Sequence, residues 1–252
     1  MIPKSLWPIE TRTARLEAGR ILLGASLTLA LLATVPAYGA GAKEQQFSSI
    51  KVSQNEIRFG AHGGYTWQAV AWIGTHTDKM YLKSEGETES GEGLEAGEVQ
   101  VRYSRQISDF FDVQAGVRHD FHPEPTRTYA VLGLHGLAPY HIEIDAAIFL
   151  SERVDFSARL ELEYDFLITQ QWVLQPLIEI DFSAQDVDEL GIAAGPTGFE
   201  LGLRLRYEFT REVAPYIGIV YERDLFATER LTVERGEDPQ LWSLVSGVRL
   251  FF

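Results

Sequence analysis

DFSARLELEYDFLITQQWVLQPLIEIDF, residues 155–182, alternates between apolar and polar side chains almost without a break. Phe156, Ala158, Leu160, Leu162, Tyr164 and Phe166 share one parity, and Asp155, Ser157, Arg159, Glu161, Glu163 and Asp165 share the other. A period of two belongs to a β-strand, whose successive side chains point to opposite faces. After Thr169 and Gln170 the pattern restarts, with Trp172, Leu174, Pro176, Ile178, Ile180 and Phe182 set against Gln171, Gln175, Glu179 and Asp181. The stretch predicts a hairpin of two strands of about a dozen residues each, roughly twice the usual strand length. One face is oily and the other charged. A soluble sandwich would bury the oily face, whereas an outer-membrane barrel turns it to lipid and lines its lumen with the polar one.

The rest of the chain decides between them. Its 252 residues are enough to close one medium-sized barrel. Three arginines, Arg12, Arg15 and Arg20, precede an apolar run over residues 21–35 and small residues at Ala37, Ala40 and Ala42. This is the layout of a secretory signal, and the run is too short to span a bilayer as a helix. Residues 1–42 are therefore expected to be a signal peptide, cleaved near 40–42, and residues 43–54, polar and without a period, a periplasmic N-terminal tail. No later segment has the run of about 18 apolar residues that a membrane helix needs, so a membrane form must cross with strands. A net charge of −14 argues against a nucleic-acid partner. The absence of cysteine excludes disulfides, thiolate metal sites and cysteine nucleophiles.

Over residues 55–252 about twelve strand patterns follow one another with no helical segment between them, and short connections alternate with longer polar ones. Tight periplasmic turns and longer external loops give this rhythm, with both termini periplasmic. The last strand places Trp242, Leu244, Val248, Leu250 and Phe252 on one parity, and aromatics mark strand ends at Phe110, Tyr140, Phe166, Trp172, Phe209, Tyr216 and Trp242, where interfacial girdles belong. The expected fold is all-β: a transmembrane antiparallel outer-membrane β-barrel of about 12 strands, preceded by a cleaved signal peptide, in the outer membrane of a Gram-negative cell.

Five segments carry a family resemblance: KMYLKSEGE (79–87), YSRQISDFFDVQAGVRHDF (103–121), GLHGLAPYHIEIDAAIFLS (133–151), LEYDFLITQQWVLQPLIEI (162–180) and ELGLRLRYEFTREVAPYIGI (200–219). Through them the chain resembles the copper resistance protein B family of outer-membrane proteins, from Gln68 onward. The resemblance implies a non-enzymatic role in copper tolerance, by binding copper or passing it out of the periplasm, with a periplasmic copper-binding protein or oxidase as a candidate partner. Such proteins often carry a Met- and His-rich segment before the barrel, and residues 43–54 contain neither type.

Parity assigns a lumen in which carboxylates outnumber guanidiniums, among them Glu143, Asp145, Arg159, Glu161, Glu163, Glu179, Asp181, Arg204 and Arg206. The surplus attracts cations, while Arg and Glu on neighbouring strands also form ladders that brace a small barrel. Apart from Met1, Met80 is the one thioether, so a chain of soft Cu(I) sites cannot be built, and imidazole with carboxylate favours Cu(II). The candidate ligands are His76, Met80, His135 and His141 near the periplasmic turns, with Glu143 and Asp145 in register with His141, and Asp120 and His122 toward the external loops. His119 falls on the lipid-facing parity. Competing readings are a general diffusion porin, which wants a wider lumen, and an outer-membrane barrel enzyme, for which no nucleophile motif is present.

Overall fold

The computed structural model describes residues 45–60, 63–89 and 93–252. The strands in chain order are β1 (Phe47–Phe59), β2 (Gly64–Gly74), β3 (Asp78–Glu89), β4 (Gly93–Gln106), β5 (Phe111–His122), β6 (Arg127–Ala138) and β7 (Ile142–Ser151). They continue with β8 (Phe156–Glu163), its short continuation β9 (Phe166–Leu167), β10 (Trp172–Ser183), β11 (Gly195–Tyr207), β12 (Val213–Asp224) and β13 (Gln240–Phe251). Each strand pairs antiparallel with its neighbours in sequence, and β13 pairs with β1, so the sheet closes on itself as a twelve-walled barrel in which β8 and β9 form one wall. Most walls run 10 to 14 residues, long enough to cross a bilayer when tilted. Closure leaves no sheet edge, a requirement where no water can satisfy one.

The two faces are inverted relative to a soluble protein. Glu56 and Ser104 are fully buried, Gln100 and Arg102 are 1% and 2% exposed, while Leu132, Ile148, Ile217 and Leu244 are each more than half exposed on the outside. The oily parity of the 155–182 hairpin faces outward as its alternation predicts, with Leu160 opposite Ile180 and Leu162 opposite Ile178 across the β8–β10 ladder. Aromatic pairs band both ends: Trp172 and Phe209 each lie 4.8 Å from Tyr207 at one end, and Tyr221 lies 4.6 Å from Trp242 at the other, ring centre to ring centre. Tyr216 departs from the girdle expected of it. It is buried inside, where its hydroxyl donates to Glu56 Oε2 at 2.9 Å.

Both chain ends of the barrel, Phe47 and Phe252, meet at the end that carries the short turns, and the amide of Ile50 donates to the Phe252 carbonyl at 2.8 Å. This will be called the turn end, and the opposite one the loop end. The expected signal segment, residues 1–42, and His62 lie outside the described residues.

Two expectations need correction. The supposed tail is barrel wall: β1 begins at Phe47, and its first half pairs with β2 from Phe47↔Gly74 to Val52↔Ala69. The register slips between Val52 and Gln54 on one side and between Val52 and Glu56 on the other. Such a bulge inserts an extra residue, so Lys51 and Glu56, of opposite sequence parity, both face the lumen, and the alternation that marks a strand is erased at this point. The second correction is a helix, α1 (Phe226–Arg235), in the β12–β13 connection. Gly236, at φ 84°, ends it with its amide on the Thr232 and Val233 carbonyls, a left-handed cap that glycine adopts without strain. Thr228 and Thr232 are buried, the Thr228 hydroxyl accepts from the Ala193 amide at 3.2 Å, and Thr232 donates to Asp224 at 2.5 Å. The helix is thereby tied to the long β10–β11 loop, whose Glu189 pairs with Arg127 at 2.9 Å and with Arg153.

Leu132→Arg, which puts a guanidinium on the outer face at mid-strand, is expected to cost roughly 2 to 4 kcal/mol of stability in lipid vesicles; denaturant unfolding of the inserted barrel checks it. Deleting residues 45–52 removes half of β1 and is expected to abolish closure, read as loss of the heat-modifiable folded band on SDS gels. A tail would have been dispensable.

Candidate functional site

The lumen is crossed, not open. Lys51 on β1 reaches Glu143 on β7 and Glu163 on β8, each at 3.7 Å. Lys83 on β3 meets Asp145 on β7 at 2.6 Å, and Arg159 on β8 meets Glu85 on β3 at 3.3 Å. In a closed ring of twelve walls β1 and β7 face each other, so these ion pairs brace the barrel across its width. On the β4–β6 side of the brace the space is filled: Arg102 donates to Gln100 and Gln114 at 2.6 and 3.1 Å, and Arg118 stacks over Tyr129 and Phe149, with 5.2 and 4.8 Å to the ring centres. On the β10–β13 side Arg204 grips Glu56 with two bonds of 2.9 and 3.0 Å. Val173, Leu177, Val220 and Val245 are buried on this side too.

A second pattern runs around the wall. Register places Asp145 opposite Glu161, Glu161 opposite Glu179, Glu179 opposite Glu200 and Glu200 opposite Glu222, a row of five carboxylates on five neighbouring walls. Like charges directly opposite one another repel, so the row needs cations from elsewhere. Lys83 and Arg102 serve Asp145, the latter at 3.3 Å. Arg159 serves Glu179 at 3.2 Å, and Arg58 on β1 serves Glu200 at 3.5 Å together with Glu222. Among the described residues no basic group lies within 4.0 Å of Glu161.

The candidate ligands fall into three groups. His135, Glu143 and Asp145 come together in the lumen toward the turn end: His135 Nε2 lies 4.0 Å from Glu143 Oε1, and Nδ1 lies 3.9 Å from Asp145 Oδ2. The His135 Nδ1 atom is buried without a hydrogen-bond partner. His76 and His141 are exposed in turns instead, and Met80 is 45% exposed on the lipid-facing side. His141 loses its register with Glu143 because Tyr140 and His141 both adopt positive φ in the turn and β7 starts only at Ile142. Asp120 is held by Arg118 through bonds of 2.6 and 2.8 Å, far from the histidine cluster in register, and His122 closes β5 at the loop end. His119 lies outside, beside the Thr128 hydroxyl at 3.0 Å. Among the described residues no group of three or more His, Asp or Glu is drawn together tightly enough to cage a metal ion. Sequence reading passed over Lys51 and Lys83, two basic members of the brace: Lys51 falls in a stretch without a clear period, and Lys83 shares β3 with a second lysine, Lys79.

At the turn end a recess is lined by Arg206, Glu208, Arg211, Ala214, Arg249 and Phe251. Arg206 is itself tied to Asp165 at 2.8 Å and Glu208 at 3.2 Å.

Comparison with known proteins sets this geometry in a family. The profile described as Copper resistance protein B precursor (CopB) matches residues 46–252. Copper resistance protein B of Escherichia coli is 40% identical over 188 residues, 75% of this chain, and a Copper resistance protein B homolog of Pseudomonas syringae pv. tomato is 39% identical over 186 residues, 74% of this chain. The matched part spans 63% of the length of each relative. Among solved structures a NanC porin superposes with a TM-score of 0.52 at 15% identity, covering 81% of this chain and 99% of the porin. That likeness establishes an outer-membrane barrel fold and no more.

The Arg204–Glu56 pair generates a prediction. Arg204→Met leaves the fully buried Glu56 carboxylate with only the Tyr216 hydroxyl at 2.9 Å and Arg58 at 3.6 Å among the described residues, and removing one partner of a buried pair costs about 3 to 5 kcal/mol. The double variant Arg204→Met, Glu56→Gln is expected to recover a large part of that loss, as measured by denaturant unfolding in micelles.

Proposed function

We propose, from the premise that the chain belongs to the copper resistance protein B family, that it protects cells by binding Cu²⁺ at the turn end of the lumen and conducting it along the acidic wall. The observation that carries this reading is His135. Its Nδ1 is buried and unpaired, and Asp145 and Glu143 stand 3.9 and 4.0 Å from its ring nitrogens. A neutral imidazole with a carboxylate beside each ring nitrogen is a donor set suited to Cu(II), and the unpaired Nδ1 with Asp145 offers the first two donors to an ion. Beyond Asp145 the row through Glu161, Glu179, Glu200 and Glu222 continues around the wall, which offers carboxylate oxygens to a cation at each step. The turn end faces the periplasm in this reading, because short turns and both chain ends sit on that side in barrels of this kind. A periplasmic copper carrier would then deliver its cargo at the mouth nearest His135.

The braced lumen favours this reading over general diffusion. Five ion pairs link β1 or β3 with β7 or β8 or sit beside them, and a sugar-sized solute would have to break them together, whereas a cation can replace one basic group at a time.

His135→Ala is expected to lower Cu²⁺ affinity measured by calorimetry on the refolded barrel, and to lower copper tolerance in cells, while His141→Ala leaves both at the parent level. Imidazole binds metal in its neutral form, so parent affinity is expected to fall on acidification and the His135→Ala variant to lose that part of the pH dependence. A His135→Ala barrel that binds and protects like the parent overturns the proposal.

A further inference from the structure

Lys83 is buried at mid-lumen with its ammonium 2.6 Å from Asp145, and it borders a narrow cavity shared with Glu85, Asp145, Arg159 and Glu161. The other basic groups at this level are locked. Arg102 is fixed by its bonds to Gln100 and Gln114, and Arg159 is held among Glu85, Glu98, Glu179 and Asp181 at 3.0 to 3.7 Å. Lys83 has one ion-pair partner among the described residues, so a single broken contact frees it. A lysine is also a compact point charge on a flexible stem, able to swing where a forked guanidinium must break several bonds. When Lys83 leaves, Arg102 remains 3.3 Å from Asp145, and the fold keeps a counter-charge. Directly across the β7–β8 ladder, Glu161 has no basic group within 4.0 Å among the described residues, although it faces Asp145 in register.

These placements describe a carboxylate pair with a tethered cation on one member, Asp145, and the other member, Glu161, facing it in register. We infer that Lys83 is the residue that gates and selects in the lumen: its ammonium occupies, on Asp145, the place that a passing cation takes before it meets Glu161. The inference rests on reading the lumen as a cation path and adds the element that holds this path shut. It predicts competition by charge. A mobile cation enters the Asp145–Glu161 pair as the ammonium swings off, and the ammonium returns when the cation moves on along the row. Anions are repelled by the carboxylate row.

The test uses the full barrel in planar bilayers under a KCl gradient, with K⁺ as the probe and the parent, Lys83→Met, Lys83→Gln and Lys83→Arg compared. Removing one unit charge beside the path is expected to raise cation conductance by at least about tenfold, because a charge a few ångström away at an effective dielectric near 20 is worth more than a factor of ten requires, and to move the reversal potential toward that of K⁺. Lys83→Arg is expected to conduct at or below the parent level, since its charge remains and a forked guanidinium swings off less readily. Two neutral variants are included so that a fold defect in one, seen as a missing heat-modifiable band, leaves the other to report. Folded neutral variants with the parent's conductance and reversal potential overturn the inference. Copper tolerance in cells separates the two readings. A gain in K⁺ conductance with unchanged copper tolerance in both Lys83→Met and His135→Ala cells supports Lys83 as the gate and overturns copper passage. Lost tolerance in His135→Ala cells beside unchanged conductance in the neutral Lys83 variants supports the copper reading and overturns the gate.

Discussion

In hydrocarbon a backbone amide has no water to fall back on, and the rest of this structure follows from that constraint. Every strand must find a partner on both sides, so the sheet has to close, and closure rests on the ladder between β1 and β13. Closing twelve walls encloses an interior lined mainly by polar and charged side chains. The chain fills it with long charged side chains that reach each other across the barrel. The brace from Lys51, Lys83 and Arg159 to Glu143, Asp145 and Glu85 is the lumen's equivalent of a hydrophobic core.

Such a core differs from an aliphatic one in what it permits. Dispersion contacts are lost together when a core is opened, whereas ion pairs can be exchanged singly, because an incoming cation offers a carboxylate what a lysine offered it. The interior therefore combines rigidity with the capacity to let small cations compete for its bonds. Larger solutes gain nothing comparable. The Tyr129, Val131, Ala147 and Phe149 cluster shows the other regime: it fills the space beneath Arg118 with apolar surface and closes that side to ions.

Much of this was legible in the sequence where alternation is unbroken. The 155–182 hairpin gave its strands, their outward face and the inward Glu161, Glu163, Glu179 and Asp181 from parity alone, and the family resemblance agreed with the later match over residues 46–252. Parity failed where the backbone departs from an ideal strand. The bulge after Val52 shifts the phase, so a wall looked like a tail, and the positive φ values at Tyr140 and His141 break the line from His141 to Glu143. Helix α1 was hidden by its polar surroundings, although the Arg235–Gly236 ending is a recognisable stop. Tyr216 read as an interfacial aromatic because an isolated ring near a strand end carries no sign of which face it takes; its bond to the buried Glu56 decides. His135 and Asp145 were visible as types, but their meeting depends on the β6–β7 register, which single residues do not declare.

The carboxylate row has a consequence for assembly. Its five members sit on β7, β8, β10, β11 and β12, yet Lys83 and Arg58, which neutralise Asp145, Glu200 and Glu222, come from β3 and β1. A nascent C-terminal half-sheet would carry a line of mutually repelling negative charges with Arg159 and Arg204 as its nearest relief. Charge balance thus arrives with the N-terminal strands, in the same step that satisfies the last open backbone edge. The two halves of the barrel are complementary in charge as well as in their backbone edges.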